Sequence, residues 1–304
     1  MITNTTETLS EGTLNLQRGA SPLTARWLQF MKTKPLGAFG ATVLIVMVFV
    51  AASANVLAPF DPVEMHYSDT LRAPSAKYLL GTDNFGRDVL SRIIYGARIS
   101  LYIGLGAVIS GTLLATALGV FSGYFGGIVD LLIQRVVDAF MAIPGLVLLL
   151  AMMSVLEPGV MNLIYALAIR LAFANTRIVR SAVVSVRQNQ YVESARAIGT
   201  QTWRILLFHI FPNVTAPIIV VATISLGGTI FAEASLSFLG FGIPPPTPTW
   251  GSMLSRTGIS YMIIAPWTAI APGLVLSVAI FCINMFGDAL RDILDPRLRI
   301  RQGK

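Results

Sequence analysis

The amino-acid sequence predicts an all-α, polytopic membrane protein with six transmembrane helices. Of its 304 residues, 54% are hydrophobic and 12% are charged, whereas a soluble domain carries about 25% charged residues. The apolar residues also form long runs, and about 20 apolar residues in a helix cross a hydrocarbon core of about 30 Å. So few charges cannot coat the surface of a soluble protein of this length, which excludes that class.

The six predicted spans follow one another with polar segments between them. They cover residues 36–58, 100–122, 139–156, 159–176, 215–239 and 267–287. A turn at Glu157, Pro158 and Gly159 separates the third span from the fourth, because proline and glycine break helices and a glutamate prefers water. Pro144 is expected to kink the third span.

These spans divide the chain into five parts. We predict a cytoplasmic tail over 1–35, a first transmembrane helix over 36–58, an extracytoplasmic segment over 59–96, a five-helix core over 97–288 and a cytoplasmic tail over 289–304. The core contains a cytoplasmic loop over 187–212. Lys and Arg concentrate on cytoplasmic loops, and 15 of the 22 lie on the side of the termini, 6 on the other side and Arg170 within a span. Both termini are therefore predicted to be cytoplasmic.

Several classes of function lack the residues they would need. The net charge of +7 is explained by membrane orientation, so no nucleic-acid partner is predicted. His66 and His209 are isolated and Cys282 is the single cysteine, so we predict no metal site and no intramolecular disulfide. The only Gly-Lys pair is Gly303-Lys304, which excludes a phosphate-binding loop. No catalytic residues and no cofactor are predicted for this chain, which is not expected to be an enzyme.

Two ionisable residues lie inside apolar runs. Glu233 is an acid well inside such a run, and a charge near the bilayer centre must face a cavity, a partner or water. It is a candidate for the translocation path of a transported solute; the alternative is a protonated or hydrogen-bonded glutamate that fixes helix packing. Arg170 is expected to lie closer to the cytoplasmic end of its span and to extend its head group to the interface.

Other spacings predict helix contacts. Gly119, Gly123 and Gly127 recur at intervals of four, and small residues at that spacing let helices approach closely in lipid. Asp138 follows Arg135 by three residues, which predicts an ion pair on one helix face.

The most informative segment is the charged, amphipathic stretch Tyr191–Pro212, which lies between two apolar runs. It predicts a short helix over Tyr191–Ile198, a left-handed turn at Gly199 and a second helix over Trp203–Ile210 that ends before Pro212. The 3–4–3 spacing predicts one shared face of that second helix, made of Trp203, Leu206, Leu207 and Ile210. The residues alone leave two interpretations open: a docking surface for a soluble partner, or a connector lying on the inner leaflet.

A resemblance decides between them. Glu193, Ala195, Gly199 and Pro212 match, in identity and spacing, the EAA motif of the permease subunits of ABC importers, and Ser194 replaces the middle alanine of that motif. The segment therefore resembles the EAA loop, which in those permeases forms a coupling helix that docks on an ATP-hydrolysing subunit. The resemblance implies this role for the same five residues.

Longer stretches resemble the C-type permease of the dipeptide, oligopeptide and nickel importers. They are Gly81–Leu101, Gly123–Ala151, Ala232–Leu254 and Gly287–Pro296. Within the loop, His209 and Phe211 stand where the family has isoleucine and leucine. The resemblance implies a type I ABC importer permease fold in a bacterial inner membrane, surrounded by lipid. It also implies three kinds of partner: a homologous second permease, two ATP-binding subunits and an extracytoplasmic substrate-binding protein.

The implied function is half of a translocation pore for peptides or a related small solute, working by alternating access. Nickel, glutathione or opine-like compounds are alternative substrates within the same family. A rival from another class is a secondary transporter driven by an ion gradient. That rival predicts repeated halves and several intramembrane ionisable groups at one central site, and the sequence has no such repeat.

Overall fold

The computed structural model describes residues 34–255 and 260–294, and the regular elements of those two ranges are helices. The principal helices are α1 Pro35–Ala52, α2 Val89–Phe125, α3 Gly127–Met141, α4 Gly145–Val155, α5 Val160–Arg187, α6 Gln190–Ala197, α7 Thr202–Phe238, α8 Trp250–Leu254 and α9 Trp267–Leu294. The prediction of an all-α membrane protein is confirmed. The predicted tails lie outside the described residues where they precede residue 34 and follow residue 294. Arg256, one of the six basic residues counted on the extracytoplasmic side, also lies outside them.

Length and composition identify four or five spans in residues 34–255 and 260–294. Within the described residues, α1, α2, α7 and α9 are long and apolar enough to cross a membrane, and α3 with α4 adds a fifth crossing if that bent pair is one span. Helix α5 does not meet this criterion, because several arginines interrupt its apolar sequence. The count of six therefore stays a prediction.

The third predicted span differs from the structure. Helices α3 and α4 meet at an angle of 89°, so the predicted kink at Pro144 is a sharp break, and whether the bent pair forms the single crossing predicted over 139–156 stays a prediction. The break falls at Pro144, whose φ is −53° and ψ 129°. Proline lacks an N–H for the helix ladder and disfavours helical geometry in the preceding residue, so the chain turns a corner here instead of bending slightly.

Helices α2 and α5 make the most extensive contact in the molecule. A Cβ atom added at Gly119 would lie 2.7 Å from the Cβ of Val179, and one added at Gly123 would lie 2.9 Å from the Cβ of Val183. The predicted close approach is confirmed at these two glycines. It is wrong at Gly127, which has a φ of +53° and no neighbour within 4 Å of an added Cβ, and so serves the turn between α2 and α3.

The segment before α2 folds around one carboxylate. Asp69 accepts hydrogen bonds from the Tyr78 hydroxyl at 2.8 Å and from Lys77 Nζ at 3.0 Å, and it pairs with Arg72 at 3.0 Å. The Tyr78 hydrogen bond, the Lys77 hydrogen bond and the nearby cations lower the pKa of Asp69 from 3.8 to about 2. Asp88 then caps α2 by accepting from the Ser91 N–H at 2.8 Å.

Candidate functional site

Helix α6 is anchored to the bundle through one face. Val192 and Ala195 are buried, while Glu193 and Ser194 are exposed on the opposite side. The buried pair belongs to an apolar cluster with residues of α2, α5 and α7: Tyr124, Val179, Val183, Ile205, Ile210 and Val214. The short helix predicted over Tyr191–Ile198 is confirmed to within one residue at each end.

The C-terminal end of α6 is closed by a Schellman motif. The N–H of Gly199 donates to the Arg196 carbonyl at 3.0 Å, and the N–H of Thr200 donates to the Ala195 carbonyl at 3.0 Å. Gly199 has a φ of +78° and open space around an added Cβ. The predicted left-handed turn is confirmed, and the backbone conformation, not crowding, is what favours glycine here.

The outer surface of α6 and of the first turns of α7 carries both charged and large apolar side chains. Arg196 places its guanidinium 4.9 Å from the Tyr124 ring centroid, and Ile198 beside it is 81% exposed. Large exposed apolar side chains continue into the first turns of α7: Trp203, Leu207 and Phe208. In a membrane protein, exposed apolar side chains of this kind contact lipid or another protein. Their support is a helix held firmly on its inner face.

The start of α7 differs from the prediction. Pro212 does not end a helix, because Thr202–Phe238 runs as one continuous helix through it. A π-helical segment at Ile205–Ile210 precedes the proline. Its wider hydrogen-bonding pattern shifts the backbone just where the proline ring removes one N–H and crowds the carbonyl four residues earlier. The proline is thereby accommodated within the helix.

The buried face of this segment also differs. Ile205, Ile210 and Val214 are buried, whereas Trp203 and Leu207 of the predicted face are about half exposed, at 51% and 55%. Spacings of five and four residues replace the predicted 3–4–3 pattern, because a π turn contains more residues than an α turn. The predicted apolar face is therefore confirmed at Leu206 and Ile210, which pack in the cluster, and wrong at Trp203 and Leu207.

Two ion pairs join α3 to α5. Arg180 donates two hydrogen bonds to the Asp130 carboxylate, at 2.6 and 2.5 Å, and the Ser122 hydroxyl donates to the same carboxylate at 2.5 Å. Arg177 pairs with Asp138, so the predicted pairing of Asp138 within its own helix is wrong. Since only Gln188 and Asn189 separate α5 from α6, these contacts connect α6 to the body of the protein.

Glu233 lies inside α7 and is fully buried. The Ser237 hydroxyl donates to its Oε1 at 2.8 Å, and its Oε2 has no hydrogen-bond partner among the described residues. This contact matches the packing alternative given for Glu233. Its place on a translocation path stays a prediction.

A polar pair that the sequence prediction missed lines an apolar cavity of about 580 Å³ between α5, α7 and α9. The Asn175 side chain donates to the Ser225 hydroxyl at 3.1 Å across the two helices. Val220, Val221 and Ile224 supply much of the apolar wall. Asn175, an asparagine inside an apolar run, is the sequence feature that indicates this polar pair.

The side chains that commonly bind metal ions are scattered in this structure. No three His, Cys, Asp or Glu side chains come together as a metal site anywhere in 34–255 or 260–294. The prediction that this chain holds no cofactor stays a prediction.

Known proteins with this sequence pattern are transport permeases. Residues 115–300 match the family of the binding-protein-dependent transport system inner membrane component. The chain is 39% identical over 279 residues to the dipeptide transport system permease protein DppC of Alkalihalophilus pseudofirmus, covering 92% of this chain and 91% of that one. It is 40% identical over 286 residues to the di/tripeptide permease DppC of Pseudomonas aeruginosa, covering 92% and 93%. The glutathione permease GsiD of Pectobacterium atrosepticum is 39% identical over 274 residues, covering 90% of each.

Solved structures share the fold. An inward-facing MetNI methionine ABC transporter aligns with a TM-score of 0.55 at 18% identity, over 68% of this chain and 97% of that chain. The helical bundle and its loop thus define a multi-pass inner-membrane permease. The chain belongs to the family of binding-protein-dependent transport system inner membrane components, and it is a permease subunit of an ABC importer.

This membership confirms the predicted family and the main functional prediction. As an ABC importer permease, the chain works with ATPase and substrate-binding proteins in general. Because the family model and the curated relatives are those of binding-protein-dependent permeases, the rival hypothesis of an ion-gradient-driven secondary transporter is not supported.

Proposed function

We propose that this chain forms half of the translocation pore of an importer for short peptides, glutathione or a close relative of these. A homologous second permease completes the pore, two ATP-binding subunits dock from the cytoplasm, and an extracytoplasmic binding protein delivers the substrate. Relatives at about 39% identity named for dipeptides, di/tripeptides and glutathione support this substrate class. Hydrolysis of ATP belongs to the partners, so the chain itself has no enzymatic role.

The observation that carries the proposal is the two-sided environment of α6. Ala195 faces the bundle and anchors the helix, while Glu193 and Ser194 face outward and are free to meet an ATP-binding subunit. Gly199 closes the helix, and Pro212 lies on the exposed side of α7 just beyond the π segment. A rigid element shared by two bodies is what allows a soluble motor to move membrane helices.

The proposed mechanism is alternating access. Closure of the ATP-binding pair brings the two α6 helices together, and α6 passes that displacement to α5 and α7, which it contacts directly. The cavity beside Asn175 and Ser225 lies between these same two helices, so their movement changes its size. Glu233, buried on α7, contributes to the path by fixing the packing of that helix.

The proposed orientation puts α6 and both termini in the cytoplasm of a bacterium. We keep the division made from the sequence: a cytoplasmic tail over 1–35, a first transmembrane helix over 36–58, an extracytoplasmic segment over 59–96, a core over 97–288 and a cytoplasmic tail over 289–304. The distribution of basic residues supports this arrangement, since α6 and the helix ends beside it carry many of them.

Charge reversal on α6 tests the coupling role. We expect Glu193→Lys to lower substrate uptake by about tenfold or more, because it reverses an exposed charge in the docking surface. Gly199→Asp is expected to act in the same direction, through strain at a φ of +78°. Glu157→Lys is the matched control, because Glu157 is exposed at the opposite end, between α4 and α5. Uptake is measured in membranes that contain equal amounts of each permease.

Wild-type uptake from inserted Glu193→Lys protein would remove the coupling assignment. Mass spectrometry of proteins that co-purify with the tagged chain in mild detergent tests the assembly itself. A second permease and ATP-binding subunits in a fixed ratio would support the proposal. Recovery of the folded chain alone, or as a homo-oligomer, would contradict it.

A further inference from the structure

Arg170 is a partly buried residue of α5. It is the eleventh residue of that helix, about 15 Å along the helix axis from Val160, and its neighbours in the sequence are apolar. The expectation that its head group extends to the interface stays a prediction. An arginine within an apolar run of a membrane protein is costly and needs a compensating partner or a water-filled cavity.

No such partner is present within the described residues. The buried Nε atom of Arg170 has no hydrogen-bond partner there, and the ion pairs found in 34–255 and 260–294 do not involve this side chain. The other three arginines of α5 each have a partner: Arg177 contacts Asp138, Arg180 contacts Asp130, and Arg187 donates to the Gly123 carbonyl. Arg170 thus differs from every other cation of its helix.

The guanidinium of Arg170 faces a cavity of about 160 Å³ at the corner between α3 and α4. Apolar side chains make most of its wall, including Ile143, Leu148 and the stacked rings of Phe140 and Phe173, whose centroids are 4.1 Å apart. Broken helices that surround a cavity in mid-membrane are where transporters bind their substrates. A cation with apolar walls suits a small molecule that has both an acid group and an apolar part.

Gly145, the first residue of α4, leaves room for the guanidinium. A Cβ atom at this position would lie 3.1 Å from Arg170 Nη1 and 3.4 Å from its Cδ. The first backbone N–H groups of α4 lack partners within their own helix and point in the direction of an incoming anion. They add to the electrostatic environment that Arg170 creates.

We propose that this cavity binds the carboxylate of the transported peptide, with Arg170 as the residue that determines specificity. The inference rests on the proposed function, since it takes a peptide as the substrate. A planar guanidinium donates two parallel hydrogen bonds to a carboxylate. The apolar wall formed by Phe140, Ile143 and Leu148 accommodates a side chain of the peptide.

The test compares a labelled dipeptide with its C-terminal amide. Uptake of each is measured in proteoliposomes that contain the complete importer, at concentrations that saturate the binding protein equally. Because the same binding protein is present throughout, its own preference cancels when acid-to-amide ratios are compared between permease variants. Wild-type importer is expected to favour the acid, and Arg170→Gln is expected to lower the ratio by about tenfold. Arg170→Lys, which keeps the charge, should retain part of the preference.

Two further variants separate specificity from folding. Gly145→Ala leaves Arg170 in place but puts a methyl group 3.1 Å from Nη1, so it should lower the ratio while the complex still assembles. Arg177→Gln removes a paired arginine of the same helix that does not line the cavity, so it should leave the ratio unchanged.

Three results would overturn the inference. The first is equal uptake of acid and amide by the wild-type importer. The second is an unchanged acid-to-amide ratio in both Arg170→Gln and Gly145→Ala. The third is that purified Arg170→Gln loses phospholipid or the second permease while its acid-to-amide ratio is unchanged. The last result would assign Arg170 to a lipid phosphate or a subunit contact. Wild-type importer that takes up no peptide would instead refute the proposed function.

Discussion

The close approach of α2 and α5 makes Gly119→Ala a sensitive test of how the bundle is held together. The added Cβ would lie 2.7 Å from Val179 Cβ and 3.0 Å from the backbone N of Arg180, about 0.7 Å short of the 3.4 Å at which ordinary contact begins. The second of these neighbours is backbone, so the helices themselves must separate. The α2–α5 interface is extensive, so this separation disturbs many other contacts.

The magnitude follows from two opposing terms. Overpacking of this kind costs about 1–3 kcal/mol, and replacing glycine by alanine within a helix returns up to about 1 kcal/mol. We expect a net loss of roughly 1–2 kcal/mol for Gly119→Ala. Gly273→Ala is the matched control, because its Cβ would lie 3.5 Å from Leu254 Cδ2, an ordinary contact. That variant should be neutral or slightly more stable.

The assay is thermal unfolding of each purified variant in the same detergent, monitored as the loss of the monodisperse peak. The two variants are expected to differ by on the order of 5 °C in midpoint, with Gly119→Ala lower. Gly123→Ala should behave like Gly119→Ala, because its Cβ would lie 2.9 Å from the Arg180 carbonyl oxygen. A midpoint for Gly119→Ala at or above that of wild type would refute the packing argument.

Two other predictions concern charged groups. The pKa of Asp69 is lowered from 3.8 to about 2, so its stabilising effect is complete above the higher value and is lost as the pH falls through the lower one. The protection factors of segment 67–82, which are exchange rates corrected for the intrinsic effect of pH, should be constant from about pH 7 to 5 and fall between about pH 4 and 2. In Asp69→Asn this acid sensitivity should vanish. The second prediction concerns the ion pair between Asp130 and Arg180. Each single variant, Asp130→Asn or Arg180→Gln, should destabilise the protein nearly as much as the double variant, because the two side chains are coupled by about 1–2 kcal/mol. If the shifts in thermal midpoint of the two single variants added up in the double variant, the coupling would be contradicted.

Much of the fold could be predicted from the sequence because its cause is local. The apolar runs that became α1, α2 and α9 are long enough to fill a bilayer, and length and hydropathy are properties of the run itself. The turn at Gly199 was predictable for a similar reason, since glycine tolerates the left-handed backbone that closes a helix.

The errors arise where distant parts of the chain decide the outcome. Pro144 indicates a break, but whether the chain bends slightly or turns by 89° depends on what packs against both halves. Asp138 had a candidate partner three residues away in Arg135, yet it pairs with Arg177, 39 residues further along. Likewise, nothing in the local spacing indicates that an arginine at position 170 would line a cavity at the corner between α3 and α4.

The uninterrupted course of α7 past Pro212 has a mechanical consequence. With 37 residues at about 1.5 Å each, the helix is about 55 Å long, with one end in the α6 cluster and the other near Glu233. If it tilts by about 10° about one end without bending, its far end moves by about 10 Å. A small displacement at the α6 end then becomes a larger one at the far end, and the π segment and Pro217 are the places where bending of the helix would reduce it.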